Sequence, residues 1–180
     1  MTADPLAIAF VNTRSSPARD RIDGLDPLTA WAAGAPALAG VVAALAEDDV
    51  VAVRRLRDAG QAVLRAVAGV AAPPPEPWET VTRTGLAAAP MTLGWSDGAV
   101  VTGDGDPLPV VLHLLGRALV DLLVGPDVAL LHRCQGTDCL RVFLARRDGR
   151  RWCDGRICGN RARVAAFARH RRGEDPSGGA

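Results

Sequence analysis

At 180 residues the chain is long enough for one ordinary domain and a small module, and too short for two full-size domains. Apolar residues make up 48% of it and aromatics 4%, with no tyrosine, so any core must be built mostly from Ala, Val and Leu. No uninterrupted apolar run reaches the roughly 18 residues of a membrane span, and MTADPLAIAF lacks the basic start and cleavage site of a signal peptide, so a soluble, cytoplasmic bacterial protein with no membrane partner is expected.

The first segment reads as helical, with Leu6, Ile8, Phe10 and Val11 forming an apolar patch that runs into Asn12-Thr13 and a polar loop over residues 14–24. Asp26-Pro27 is a helix-start signal that turns Leu28 and Trp31 inward until Gly34. A second short helix carries Leu38, Val41, Val42 and Leu45. The longest helix follows Glu47-Asp48-Asp49, whose carboxylates suit a positive helix N-terminus. There Val53, Leu56, Gly60, Val63, Leu64 and Val67 recur at spacings of three and four, one buried stripe. The prolines from Pro73 to Pro77 break it and read as a surface loop. Residues 91–95 and 99–102 flank Ser96-Asp97-Gly98 as a β-hairpin. Asp106-Pro107 then opens a helix with Val110, Val111, Leu114, Ala118, Leu119 and Leu122 on its apolar face, closed by Gly125-Pro126. The expected fold is mainly α with a small β-hairpin (α+β) over residues 1–125, followed over 126–172 by a small module that carries all four cysteines, Cys134, Cys139, Cys153 and Cys158, and so reads as zinc-ribbon-like, with a basic helix. Residues 173–180 are expected to be a disordered tail.

Charge divides the chain at the same place. Residues 1–130 hold 9 arginines against 15 acidic residues, a balance of −6, whereas residues 131–172 hold 12 arginines against 3 aspartates, a balance of +9. Such asymmetry points to a polyanion surface on the basic part, against the plainer reading of a solvated arginine surface.

All four cysteines lie in that part, as Cys134-x4-Cys139, thirteen residues, then Cys153-x4-Cys158. Two pairs of equal spacing are the layout of a tetrahedral four-thiolate site, and a full thiolate shell makes one Zn²⁺ structural. An iron–sulfur cluster and four plain reduced cysteines are the alternatives. Leu140, Val142, Phe143 and Leu144 are expected to form a strand, turning at Arg147-Asp148-Gly149 into a return strand with Trp152. So small a core cannot stabilise the module without the metal.

Cys158-Gly159-Asn160-Arg161 spells CGNR, preceded by Trp152-Cys153, and the segment from about His132 to Arg172 resembles the CGNR zinc-finger family. The earlier part, with Phe10-Val11-Asn12-Thr13 after Ala9, is similar to the ABATE domain that precedes this finger in bacterial transcription regulators. The resemblance implies DNA binding.

Residues 161–172 read as a helix with Arg161, Arg169 and Arg172 on one face and Val164 and Phe167 opposite, docked on the zinc knuckles. These arginines, with Arg146, Arg147, Arg150 and Arg151 on the hairpin turn, are the candidate nucleic-acid contacts. Asn160 either caps the helix or contacts a base, capping being preferred, and Gly159 is read as permitting a tight turn. His132, two residues before Cys134, is an alternative ligand, and His113 is read as a satisfied core or boundary residue. No GxSxG elbow, phosphate-binding glycine loop or HExxH helix is present, so no enzyme is expected. Gly103-Asp104-Gly105-Asp106 is read as a turn in preference to a calcium loop. The sequence therefore points to a DNA-binding regulator, with a ligand-sensing or assembly domain that takes a small-molecule effector or forms a homodimer. The rival readings are a zinc-ribbon adaptor for an acidic protein partner and an RNA-binding module, the latter disfavoured by the few aromatics available for stacking.

Overall fold

The computed structural model describes residues 5–88, 93–96, 99–102 and 106–172. The chain runs α1 (Leu6–Val11), β1 (Arg14–Ser16), β2 (Arg19–Asp20), α2 (Leu25–Ala32), α3 (Pro36–Val42), α4 (Asp49–Val67) and α5 (Pro75–Leu86). It continues through β3 (Leu93–Ser96), β4 (Ala99–Thr102), α6 (Pro107–Val124), a 3-10 turn (Pro126–Leu130), β5 (Leu131–Arg133), β6 (Val142–Leu144), a π-turn (Gly155–Gly159) and α7 (Asn160–Arg171). Among the described residues the strands form three antiparallel pairs, β1–β2, β3–β4 and β5–β6. The expected hairpin is β3–β4, with Ser96 opposite Ala99. Met91, Thr92, the Asp97-Gly98 turn, residues 103–105 and the expected tail lie outside the described residues.

The long helix α4 starts in the acidic run and buries Val53, Leu56, Gly60, Val63 and Leu64, as its periodicity predicts. Two polar residues share that face. Gln61 donates to Val11 O (2.8 Å) and Arg14 O (2.7 Å), satisfying carbonyls at and beyond the C-terminus of α1. Arg57, fully buried, pairs with Asp20 and with Asp58 (2.9 Å). The start of α2 is also capped from a distance, since the Glu47 carboxylate accepts from Leu25 N (3.2 Å).

The structure corrects the reading of Pro73–Pro77 as a loop. Pro75 and Pro77 sit in the first turn of α5, where a missing N–H leaves no helical hydrogen bond unmade. α5 crosses α6 at Gly85 and Gly116, where a Cβ on Gly85 would lie 2.4 Å from Gly116 O, so only glycine admits this approach. α6 opens on Asp106, whose carboxylate accepts from Leu108 N (3.1 Å). By length and composition alone α6 could cross a membrane. Its Val111, Leu115, Leu119 and Leu122 instead lie in the apolar core, and it packs against α1, α3, α4 and α5.

That core runs past residue 125. Leu131, Val142 and Leu144 belong to the same buried cluster as the helices, while Phe143, pointing the other way, belongs to a second cluster around the cysteines. The partner of β6 is β5, with Leu131 opposite Leu144, and not the segment carrying Trp152. That segment instead meets the end of β5, through Gln135 N donating to Arg151 O (3.1 Å).

Candidate metal centre and nucleic-acid interface

β5 leads directly into Cys134, whose N–H donates to Arg141 O (3.0 Å) and closes the hairpin at the first knuckle. Between the paired cysteines Asp138 takes a left-handed conformation (φ 58°), a region Asp tolerates better than most residues. Cys139 N then donates to Gly136 O (3.1 Å). On the second knuckle Asp154 caps the π-turn, its Oδ1 accepting from Arg156 N (2.7 Å) and Ile157 N (3.0 Å). The turn closes five residues on, at Gly159 N to Asp154 O (3.1 Å), and buries Cys158.

These turns bring all four sulfurs within 4.8 Å of one another. Cys139–Cys153 and Cys153–Cys158 are each 3.7 Å apart. A tetrahedron with metal–sulfur bonds of about 2.3 Å has sulfur–sulfur edges of about 3.8 Å, so the cluster has the size a zinc ion requires. The N–H groups of Gly136 and Cys153 both point at Cys134 Sγ (3.4 Å each), donors that favour a thiolate there. Burial pushes the Cys134 thiol up, but those amides and the adjoining thiols outweigh it and bring it below its ordinary value. Burial, then the charge of Cys139, pushes Cys153 well up, and burial is also the main cause raising Cys158 to about 11. Four adjacent thiols cannot all ionise alone, whereas a dication binds them as thiolates and releases their protons. Cys134, Cys139, Cys153 and Cys158 thus hold one structural Zn²⁺, with no ligand position left for chemistry. His132 takes no part and stacks on Phe143 (centroids 6.0 Å apart).

The candidate arginines divide by task. Arg150 straps the module together, donating to Trp152 O (3.1 Å), Leu144 O (3.4 Å) and Cys153 O (2.6 Å) while lying over the Phe143 ring. Arg151 donates to Gln135 Oε1 (2.8 Å) and covers Trp152, and Arg146 pairs with Asp127 (3.7 Å). The side chains of Arg147, Arg161 and Arg169 have no hydrogen-bond or ion-pair partner among the described residues, and Arg172 ends the basic helix. Contrary to expectation, α7 is not docked on the knuckles: it has no buried residue, and Val164 and Phe167 are 60% and 65% exposed. The apolar cover of the knuckles is already supplied by Phe143 and Trp152. Trp152 lies so close to Gly159 that a Cβ there would be 3.0 Å from its ring. Close packing, rather than an unusual turn, requires this glycine, whose φ is −64°. Asn160 does not cap α7, because Asp154 starts the helical run one turn earlier; Asn160 is left exposed. His113 Nδ1 is buried with no hydrogen-bond partner, so that residue is not satisfied as expected.

One contact went unforeseen. Asn12 Nδ2 donates to Val142 O (2.8 Å) and its Oδ1 accepts from Val142 N (3.0 Å), so a side-chain amide completes the free edge of β6. Leu140 N donates to Ser15 O (3.0 Å) and Arg65 to Cys139 O (3.1 Å), fixing the first knuckle to the helical part. An asparagine after a helix is an ordinary helix end, and nothing in its sequence position marks this role.

Comparison with protein families matches residues 4–126 to ABATE, described as "Putative stress-induced transcription regulator", and residues 131–172 to the CGNR zinc finger. A search of the curated proteins finds no match. The four-sulfur cluster falls wholly inside the second match, and the Asn12 clamp joins it to the first. The chain belongs to the ABATE family and ends in a CGNR zinc finger.

Proposed function

We propose that the chain is a DNA-binding transcription regulator acting in the cytoplasm, in which the zinc site presents α7 to duplex DNA and the helical part senses a ligand or mediates assembly. The reading is carried by α7: a twelve-residue helix anchored at Cys158, with no buried residue, bearing Arg161, Arg163, Arg169 and Arg171, with Arg172 as its C-cap. Arginines so placed suit phosphates, and Asn160, relieved of capping, suits an adenine edge in the major groove. Arg147 extends the surface, and the balance of +9 over residues 131–172 draws in the polyanion. The finger, taken as residues 126–172, is short, so useful affinity calls for a homodimer.

The test is a triple variant, Arg147→Ala, Arg169→Ala and Arg172→Ala. It should keep its zinc and helicity and lose most duplex affinity. The plot of log affinity against log salt should flatten by about one unit per contacting arginine. Unchanged affinity and slope on every duplex tested would remove the proposal. An acidic protein partner, for which the basic balance and the exposed Val164 and Phe167 together speak, would then take its place.

A further inference from the structure

We infer that the seam between the helical part and the metal module is a binding site for a phosphoryl group, carried by a small molecule. A cleft of about 350 Å³ opens there, within the range of about 300–1,000 Å³ in which small-molecule sites fall. One wall is the β1–β2 turn; the other is made by the knuckles, the π-turn and the start of α7. Hydrogen-bond donors crowd it. Arg19, Arg141 and Arg161 line it with the hydroxyl residues Ser15, Ser16 and Thr137, and none of these six side chains has a hydrogen-bond or ion-pair partner among the described residues. Arg141 Nε is buried and has no hydrogen-bond partner among the described residues, so nothing in the fold claims this guanidinium.

The negative groups nearby do not already answer these donors. Asp154 Oδ1 is taken by the amides of Arg156 and Ile157, and Asp138 forms no ion pair among the described residues. Cys139, Cys153 and Cys158 line the cleft too, but none accepts a hydrogen bond from Arg19, Arg141 or Arg161; the amides of Gly136 and Cys153 address Cys134 Sγ, and Arg65 and Arg133 line a separate hollow beside the first knuckle. Three guanidinium forks and three hydroxyls exceed what the two oxygens of a carboxylate can accept and suit the three of a phosphoryl group. A ligand held there bridges Arg19 of the helical part to Arg141 and Arg161 of the module, so its binding tightens the seam. This gives the proposed sensing role a ligand class and rests on that role only for its consequence; the site itself does not require DNA.

The experiment is thermal unfolding of the zinc-loaded full-length chain in inorganic phosphate, against sodium chloride at matched ionic strength. A saturable rise in melting temperature specific to phosphate is expected. Arg141→Met and Arg19→Ala should each weaken phosphate binding at least about tenfold with zinc content unchanged, and Arg83→Ala, which lines a different hollow, should not. Arg19 is exposed, so its variant carries the test if the Arg141 variant does not fold. Phosphate acting no differently from chloride, or equally on Arg19→Ala, overturns the inference. Duplex titration separates the two sources of phosphate: an unchanged salt slope in Arg19→Ala marks a free small molecule, and a slope flattened by about one unit marks the DNA backbone. A parent chain that binds phosphate saturably but no duplex would sink the DNA reading and leave this one standing.

Discussion

The helical part buries a continuous apolar cluster that starts at Ala7 and takes in Leu131, Val142 and Leu144 of the hairpin, whereas the cluster around the metal comprises Cys134, Phe143 and Cys158, with Trp152 and the other two cysteines at its edge. At about 1.5–3 kcal/mol for each large apolar side chain buried, the first cluster can offset its chain entropy, and the second cannot without its metal. The difference would suggest two independent bodies, yet hairpin β5–β6 serves both. Val142 and Leu144 face the helices and Phe143 faces the sulfurs, because successive strand residues point to opposite sides. With the Asn12 clamp and the Arg65 contact, the helical part holds the first knuckle in place.

Metal removal should break the comparison most visibly. Freshly purified, reduced protein should contain about one zinc per chain, and structural zinc contributes about 10–16 kcal/mol of apparent binding energy. Chelation or Cys158→Ser should therefore unfold the module. The helical part should stay folded but melt at a lower temperature, since Leu131, Val142 and Leu144 then leave its core, as followed by circular dichroism. One transition with no residual helix would show that the regions cannot be separated. Absence of zinc, or iron with visible absorbance, would refute the metal assignment.

The next effect belongs to the helical part. Arg57→Met removes the buried partner of Asp20 and should cost about 3–5 kcal/mol in denaturant unfolding, with zinc content unaffected. Burial raises the Asp20 carboxyl, but Arg57, the Ile22 amide and Arg54 together hold it below its ordinary value. A depressed folded value means that this contribution is fully present above the unfolded value of about 3.9 and is lost as pH falls through the folded one. The stability of Asp20→Asn should accordingly depend less on pH over that acid range than that of the parent.

The smallest effect sharpens the link between the regions. Asn12→Ala leaves the N–H and C=O of Val142 without partners in a buried strand and should cost about 1–3 kcal/mol. The melting of the helical part and the chelator resistance of the zinc should fall together. A loss confined to one of them would show that Asn12 serves one region alone.

What was legible in the sequence follows from the range of each interaction. The four ligands could be read because metal geometry imposes spacing, and α4 and α6 because burial imposes periodicity. α5 was hidden by prolines that also mark loops, and only position within the first turn tells the two uses apart. The β5–β6 pairing, the buried Arg57 and the Asn12 clamp depend on residues far apart in sequence, which no local pattern encodes. Docking of α7 was expected from its Val164 and Phe167. It fails because Phe143 and Trp152 already occupy that place.

The π-turn at Gly155–Gly159 has a directional consequence. Each residue of a helix advances the azimuth by about 100° and the rise by about 1.5 Å, so the wide turn sets the rotational phase of everything after it. Cys158 lies inside that turn, and the metal that fixes its sulfur therefore fixes the compass bearing of the arginine row. Deleting one residue between Cys158 and Arg161 would leave composition and charge almost untouched and aim the row about a quarter-turn away.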